Sequence, residues 1–388
     1  MKKEAPMTRQ AQFNAESYPK TLLLGVHAPY NQTKNIDSYF EEFLNLAKTN
    51  NVQNYETLWV KIRDVDPSYF LTKGKLEEIK KYCDEHHIEE VIISETLSAQ
   101  QERNLSDFID CKVFDRTLLI LEIFEKSAHS AEGKMQVEIA MMQHQKTRLA
   151  GHGIDMMQQR GVRGMRGGYG ETRKEKDRRH IENTILKLTK QLESLQKTRD
   201  TQRKQRLTNG VPHICIIGYT NAGKSTILNS LTKSNVLAED KLFATLDTTT
   251  RELYIDKKKV GIISDTVGFI QQLPTKLIEA FKSTLSELQH ASLLLHVVDL
   301  SDQNWESQIR VVHEILDELD VHKNMIYVFN KIDKVASIEN LHGAMAKYQP
   351  QVVTSALSKE GLKPLSESLS LWSTQHKESI LPVQKMNE

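Results

Sequence analysis

A chain of 388 residues is too long for one simple hydrophobic core and accommodates two or three domains. Hydrophobic residues at 39% and charged residues at 27% suit a folded globular protein and exclude a disordered one. The net charge of +1 excludes a uniformly polybasic chain, but it averages three unequal blocks: −5 over residues 1–157, +9 over 158–206 and −3 over 207–388.

The first 20 residues lack an apolar signal segment and are expected to form a disordered tail. Strand-like runs then alternate with helix-like stretches. TLLLGVHA from Thr21, LWVKI from Leu58, VIIS from Val91 and CKVF from Cys111 read as strands. Residues 37–48, 73–87 and 99–108 repeat apolar side chains three or four apart and read as helices. The alternation predicts an α/β domain with a mostly parallel sheet over residues 21–125. Glu89 and Glu90 read as a solvated entry to the third strand. The three cysteines, Cys83, Cys111 and Cys215, lack metal-ligand spacing and read as buried thiols of a reducing compartment, so the cytoplasm is the expected location.

Residues 126–207 change character. Met135, Ile139, Met142 and Leu149 share one helix face, and Ile181, Ile185, Leu188, Leu192 and Leu195 form a narrow heptad seam that needs a partner helix. An antiparallel helical hairpin, a short coiled coil, is the expected arrangement. Its connecting loop, residues 151–170, holds seven of the 17 glycines and Arg160, Arg163 and Arg166. Arg178 and Arg179 continue the charge on the second helix. A basic arm with a glycine-rich tip suits an RNA phosphate backbone and unpaired bases. An acidic protein partner could use the same charge.

Residues 208–375 again alternate strand and helix, with a short tail expected over 376–388. The strand HICII runs straight into Gly218, Tyr219, Thr220, Asn221, Ala222, Gly223, Lys224 and Ser225, and the helix after it begins near Thr226. The spacing G-x-x-x-x-G-K-[ST] between strand and helix is a P-loop. Its backbone N–H groups curl around an anion, Lys224 neutralises the β- and γ-phosphates, and the Ser225 hydroxyl is a ligand for Mg²⁺.

Three later strands end in the segments that select the base. VGIIS leads into Asp265, Thr266, Val267 and Gly268, where the carboxylate reaches Mg²⁺ through water and the Gly268 N–H senses the γ-phosphate. MIYVF leads into Asn330, Lys331, Ile332 and Asp333, and the Asp333 carboxylate matches the two N–H donors of guanine. VVT leads into Ser355, Ala356 and Leu357, whose backbone donates to the guanine oxygen. All four in this order define a GTP-binding domain. Thr245, Thr248, Thr249 and Thr250 are candidates for the metal-binding threonine of the first switch.

The position after the DxxG glycine, where Ras-like proteins place a water-orienting glutamine, is Phe269. Gln271 or Gln272 could supply the missing group, or a partner could. Asn221 either holds a monovalent cation against the phosphates or only tolerates the tight turn. The 14 histidines show no metal-ligand spacing and read as structural or solvated.

LFATLD from Leu242, DTVGFI from Asp265, TKGKLEEI from Thr72 and GYGETRKEKDRR from Gly168 together resemble the HflX-type GTPases over residues 20–375. The order of parts (α/β domain, hairpin, P-loop GTPase domain) is similar too. The resemblance implies a monomeric GTPase that binds the large ribosomal subunit and its RNA through the hairpin loop, and that splits or recycles stalled or idle ribosomes under stress. It implies that Phe243, Ala244, Thr245, Leu246 and Asp247 line the nucleotide and that Thr245 joins Ser225 on Mg²⁺. Lys224, Thr245 and Gly268 are then the residues expected to act on the γ-phosphate. A hydrophobic residue at the Phe269 position is normal for that family, and the missing glutamine points to slow intrinsic hydrolysis that a partner, here the ribosome, speeds. Two features depart from the family: the loop is longer and proline-free, with Lys174 at the usual leucine, and Thr248 replaces the usual switch proline. A non-catalytic RNA adaptor and a GTP-dependent RNA-modification partner are the alternatives. A second nucleotide on the N-terminal domain is a weaker possibility, resting on GKGK alone.

Overall fold

The computed structural model describes residues 18–31, 35–149, 173–208, 210–232, 242–243, 246, 249–272, 274, 277 and 287–384. The expected tail to residue 17, the loop with Arg160, Arg163 and Arg166, and Ala244, Thr245 and Asp247 lie outside the described residues. The chain forms two compact units, residues 1–195 and 196–388.

The first unit runs β1 (Thr21–His27), α1 (Ile36–Thr49), β2 (Tyr55–Lys61), α2 (Lys73–His86), β3 (Glu90–Ile93), α3 (Ala99–Ile109), β4 (Lys112–Phe114), α4 (Arg116–Ser127) and α5 (Ala131–Leu149). Its four strands are all parallel, in the order β2-β1-β3-β4. Helices cover parallel sheets on both faces, which is why β1 and β3 are almost continuously apolar. Local caps set the helix starts: the Asn35 side chain accepts the N–H of Ser38, Ser98 and Gln101 form a capping box, and Asp115 accepts the N–H of Leu118.

Helix α4 has no counterpart in the periodicity. It buries residues on nearly every side, Arg116, Thr117 and Glu122 among them, so its sequence, RTLLILEIF, lacks the solvent-facing polar stripe of an amphipathic helix. The two acidic residues at the entry to β3 separate. Glu89 is exposed and solvated as expected, whereas Glu90 is fully buried, because β3 lies inside the sheet beside β1. Its carboxylate accepts the Thr21 hydroxyl at 2.9 Å. All three cysteines are free and buried.

His144 takes a structural place, in a charge cluster drawn from three helices. Glu102 of α3, Asp115 at the start of α4 and His144 of α5 bring their ligand-type atoms within 4.8 Å of one another. Arg148 takes the place a cation would fill, 2.7 Å from Glu102 and 3.0 Å from Asp115, while His144 lies 3.3 Å from Asp115. The group is a charge network that clamps α5 to the domain.

Helix α6 (Arg173–Thr208) follows. Along its seam Leu188 is buried, Ile181, Ile185 and Leu192 are half-buried, and Leu195 is exposed. Lys146 of α5 pairs with Glu182 of α6 at 3.0 Å.

The second unit contains β5 (His213–Gly218), α7 (Lys224–Thr232), β6 (Thr250–Ile255), β7 (Lys258–Asp265), β8 (Leu293–Asp299), α8 (Trp305–Glu318), β9 (Met325–Asn330), β10 (Gln351–Val353) and α9 (Lys359–Gln384). The sheet order is β10-β9-β8-β5-β7-β6, with β6 alone antiparallel among its strands. The carboxyl ends of β5, β7, β8, β9 and β10 therefore share one edge, where open α/β sheets bind ligands. Helix α9 passes the expected end at residue 375, so residues 376–384 are helical rather than tail. No described helix is long and apolar enough to cross a membrane.

Strand β8 ends on Asp299 and carries His296 in its middle, which is buried with its Nδ1 lacking a hydrogen-bond partner. Burial, reinforced by His313 and Lys224, pushes its pKa down to about 3. The unfolded chain takes up this proton near pH 6.5 and the folded chain only near 3, so between those values the unfolded state binds more protons and stability falls as pH falls. Each proton is worth about 1.4 kcal/mol per pH unit. His296→Leu should lose about 1–2 kcal/mol less than the parent between pH 6.5 and 5, as read by urea denaturation at each pH.

Candidate nucleotide-binding site

The P-loop leaves β5 at Gly218, whose φ is +144°. A Cβ there would stand 2.2 Å from the backbone oxygen of Val297 on β8, so only glycine allows β5 and β8 to approach this closely. Asn221 follows at φ +61°, a left-handed position that asparagine tolerates. Gly223 at φ +95° completes the curl, and Lys224 opens α7. Thr226 sits half-buried in the first turn of that helix.

Lys224 is buried, and its Nζ donates to the carbonyl of Tyr219 at 2.8 Å. Burial pulls its pKa down to about 8, Asp265 opposes that shift, and Lys331 adds to it. A polyphosphate beside the ammonium would favour the charged form. Ser225 Oγ donates to Asp265 Oδ2 at 2.6 Å, so a residue of α7 and the last residue of β7 converge as two hard oxygen groups. That donor set fits Mg²⁺, which takes one or two protein oxygens and otherwise phosphate and water. The other Asp265 oxygen accepts the N–H of Thr266, whose hydroxyl donates to Ile216 of β5. Val267 is buried, and a Cβ on Gly268 would lie 2.7 Å from Thr220 and 3.0 Å from Lys224 Nζ.

The segments expected to select the base meet the P-loop through Asn330. Its Nδ2 donates to the carbonyl of Ala222 at 2.9 Å, and its Oδ1 accepts the N–H of Ala356 at 3.1 Å. A Cβ on Gly223 would come within 2.3 Å of that Nδ2. Asp333 Oδ1 accepts the hydroxyl of Ser355 at 2.5 Å, which orients the carboxylate. Lys331, at φ +61°, reaches Asp299 at the end of β8, 2.7 Å away. Leu357 is exposed, while Phe243 and Leu246 of the first switch are buried. Asp299 and Thr354, which sit beside these segments, escape motif reading. For Asp299 a signal exists, an acid closing an apolar strand at the shared edge.

Three family models match the chain: "GTP-binding GTPase N-terminal" over residues 37–125, "GTP-binding GTPase Middle Region" over 127–206 and "50S ribosome-binding GTPase" over 213–331. The HflX GTPase of Magnetococcus marinus is 42% identical over 330 residues, covering 85% of this chain and 76% of that protein. The chain belongs to the HflX GTPase family. The Caldanaerobacter subterraneus HflX GTPase is also 42% identical, with the same shares covered, and that of Escherichia coli K12 is 38% identical over 89% of this chain and 81% of its own. A solved GTP-binding protein from Sulfolobus solfataricus in complex with GDP is 26% identical, covering 92% of this chain and 99% of that one, with a TM-score of 0.46.

This HflX GTPase is therefore a GTP hydrolase without a polar side chain after its DxxG glycine. Phe269 is 1% exposed, and its backbone pairs with Tyr219 in a parallel bridge. Gln271 is buried, and its N–H donates to the Tyr219 hydroxyl at 2.8 Å.

Two hydrogen bonds from guanine to a carboxylate should decide base choice. Asp333→Asn is expected to lower GTP affinity about a hundredfold and raise affinity for xanthosine triphosphate. Equilibrium titration with fluorescent analogues of both nucleotides measures the exchange, and unchanged GTP binding would remove Asp333 from base recognition.

Proposed function

We propose that this HflX GTPase binds the large ribosomal subunit through a basic arm and uses GTP to set and release that binding. The match of residues 213–331 to a family described as a 50S ribosome-binding GTPase carries the reading. The +9 charge of residues 158–206, between two acidic blocks, supports an RNA contact there. In this reading α5 and α6 form an antiparallel hairpin. Arg160, Arg163 and Arg166 at its tip, with Arg178 and Arg179 below, lie along ribosomal RNA.

Lys224, Ser225, Thr245, Asp265 and Gly268 hold GTP and Mg²⁺, Asp333 selects guanine, and a monovalent cation beside Asn221 is a further candidate. GTP binding orders the two switches, and hydrolysis ends the interaction. Because Phe269 cannot orient water, intrinsic turnover is slow and the ribosome completes the site. Splitting or recycling of stalled or idle ribosomes under stress is the cellular task that fits a GTP-timed release, performed by a cytoplasmic monomer.

The protein should pellet with large ribosomal subunits in the presence of a non-hydrolysable GTP analogue and less so with GDP. Changing Arg160, Arg163 and Arg166 to Ala should lower the slope of log affinity against log salt by about two to three units. An unchanged slope and unchanged pelleting would remove the RNA contact.

A further inference from the structure

Tyr219 makes contacts that the P-loop pattern does not require. The pattern leaves the second position of the loop open, since backbone groups alone cradle the phosphates. Here the carbonyl of Tyr219 accepts from Lys224 Nζ at 2.8 Å, and its phenolic oxygen accepts the N–H of Gln271, also at 2.8 Å. Between these contacts, the Phe269 N–H donates to the Gly218 carbonyl at 3.2 Å and the Thr220 N–H donates to the Phe269 carbonyl at 2.8 Å. The P-loop and the segment after Asp265 are thus fastened at three points. Gly268, whose N–H faces the γ-phosphate in the reading above, adjoins the fastened stretch.

Two of the three fastenings are backbone to backbone and ask little of the side chains. The third depends on the phenol hydroxyl alone. Tyr219 is 6% exposed, and burying a hydroxyl costs free energy unless it is hydrogen-bonded, so a phenylalanine would be the simpler way to fill the same space. With Phe269 unable to orient a reacting group, the alignment of this segment against Lys224 rests on how the backbone is held.

We propose that Tyr219 is a positioning residue for GTP hydrolysis, its hydroxyl latching Gln271 to the P-loop so that the Gly268 amide stays in register with Lys224 at the γ-phosphate. The proposal rests on the GTP site described above. GDP has no γ-phosphate, so its binding does not depend on the latch. A purely structural tyrosine would affect both nucleotides alike.

Tyr219→Phe removes the hydroxyl and keeps the ring. The expected result is a five- to tenfold fall in kcat/KM for GTP, the size of one lost hydrogen bond. The preference for a non-hydrolysable GTP analogue over GDP should shrink, while GDP affinity stays within twofold and the melting temperature falls by no more than a few degrees. Unchanged kcat/KM and analogue preference would overturn the proposal. So would equal losses of GDP and analogue affinity, which mark a structural role. If the parent protein binds GDP and the analogue but hydrolyses no GTP, the hydrolytic reading fails, while the affinity ratio still tests the latch. If the parent binds no guanine nucleotide, the site reading fails and the proposal falls with it.

Discussion

One buried carboxamide governs the geometry of the nucleotide site. Asn330 stands at the end of β9, 1% exposed, with its donor end on the P-loop carbonyl of Ala222 and its acceptor end on the N–H of Ala356. The two ends of an amide are chemically distinct, so this side chain fixes the P-loop and the Ser355 loop relative to each other in one orientation. Gly223 must lack a Cβ because that amide nitrogen occupies the space. The curl of the P-loop, the entry of Lys224 into α7 and the placement of Asp333 against Ser355 all depend on that close approach. An unpaired carboxamide at this depth would be costly, which makes the three-way contact strongly preferred over looser arrangements.

The parallel sheet explains why these groups meet at all. Parallel strands send their carboxyl ends to one edge, and β5, β7, β8, β9 and β10 each deliver polar residues there. Apolar strands exclude water below that edge, so charges above it interact strongly. Lys224 feels this as a depressed pKa, opposed by Asp265, and Lys331 is held by Asp299. The site sets the Lys224 ammonium in a partly dehydrated place among the P-loop backbone groups, an arrangement suited to a polyanion.

The first unit solves a different problem. Helix α5, which follows the α/β sheet in the chain, must be held to it. The Glu102, Asp115, His144 and Arg148 network does so with charge, at the N-terminus of α4, where Asp115 also caps the helix. Such a network favours a particular orientation more than a greasy contact would, because each hydrogen bond has a direction. Its members come from three separate helical segments, and no pattern of spacing announces the cluster.

What was legible in the sequence was whatever depends on neighbouring residues. Strand and helix periods, the P-loop with its Gly218 and Gly223, and the DTVG, NKID and SAL segments are local, because backbone conformation and strand ends are set over a few residues. Tertiary structure alone decided which polar residues met. It buried Glu90 against Thr21, enclosed α4 on nearly every side and carried α9 beyond residue 375. It also assembled the His144 network and set the Tyr219 hydroxyl on Gln271, 52 residues away. The physical reason is that a single sequence specifies hydrogen-bonding capacity at each position, whereas the partner that uses it is chosen by packing, which brings distant segments within the few ångströms over which such bonds act.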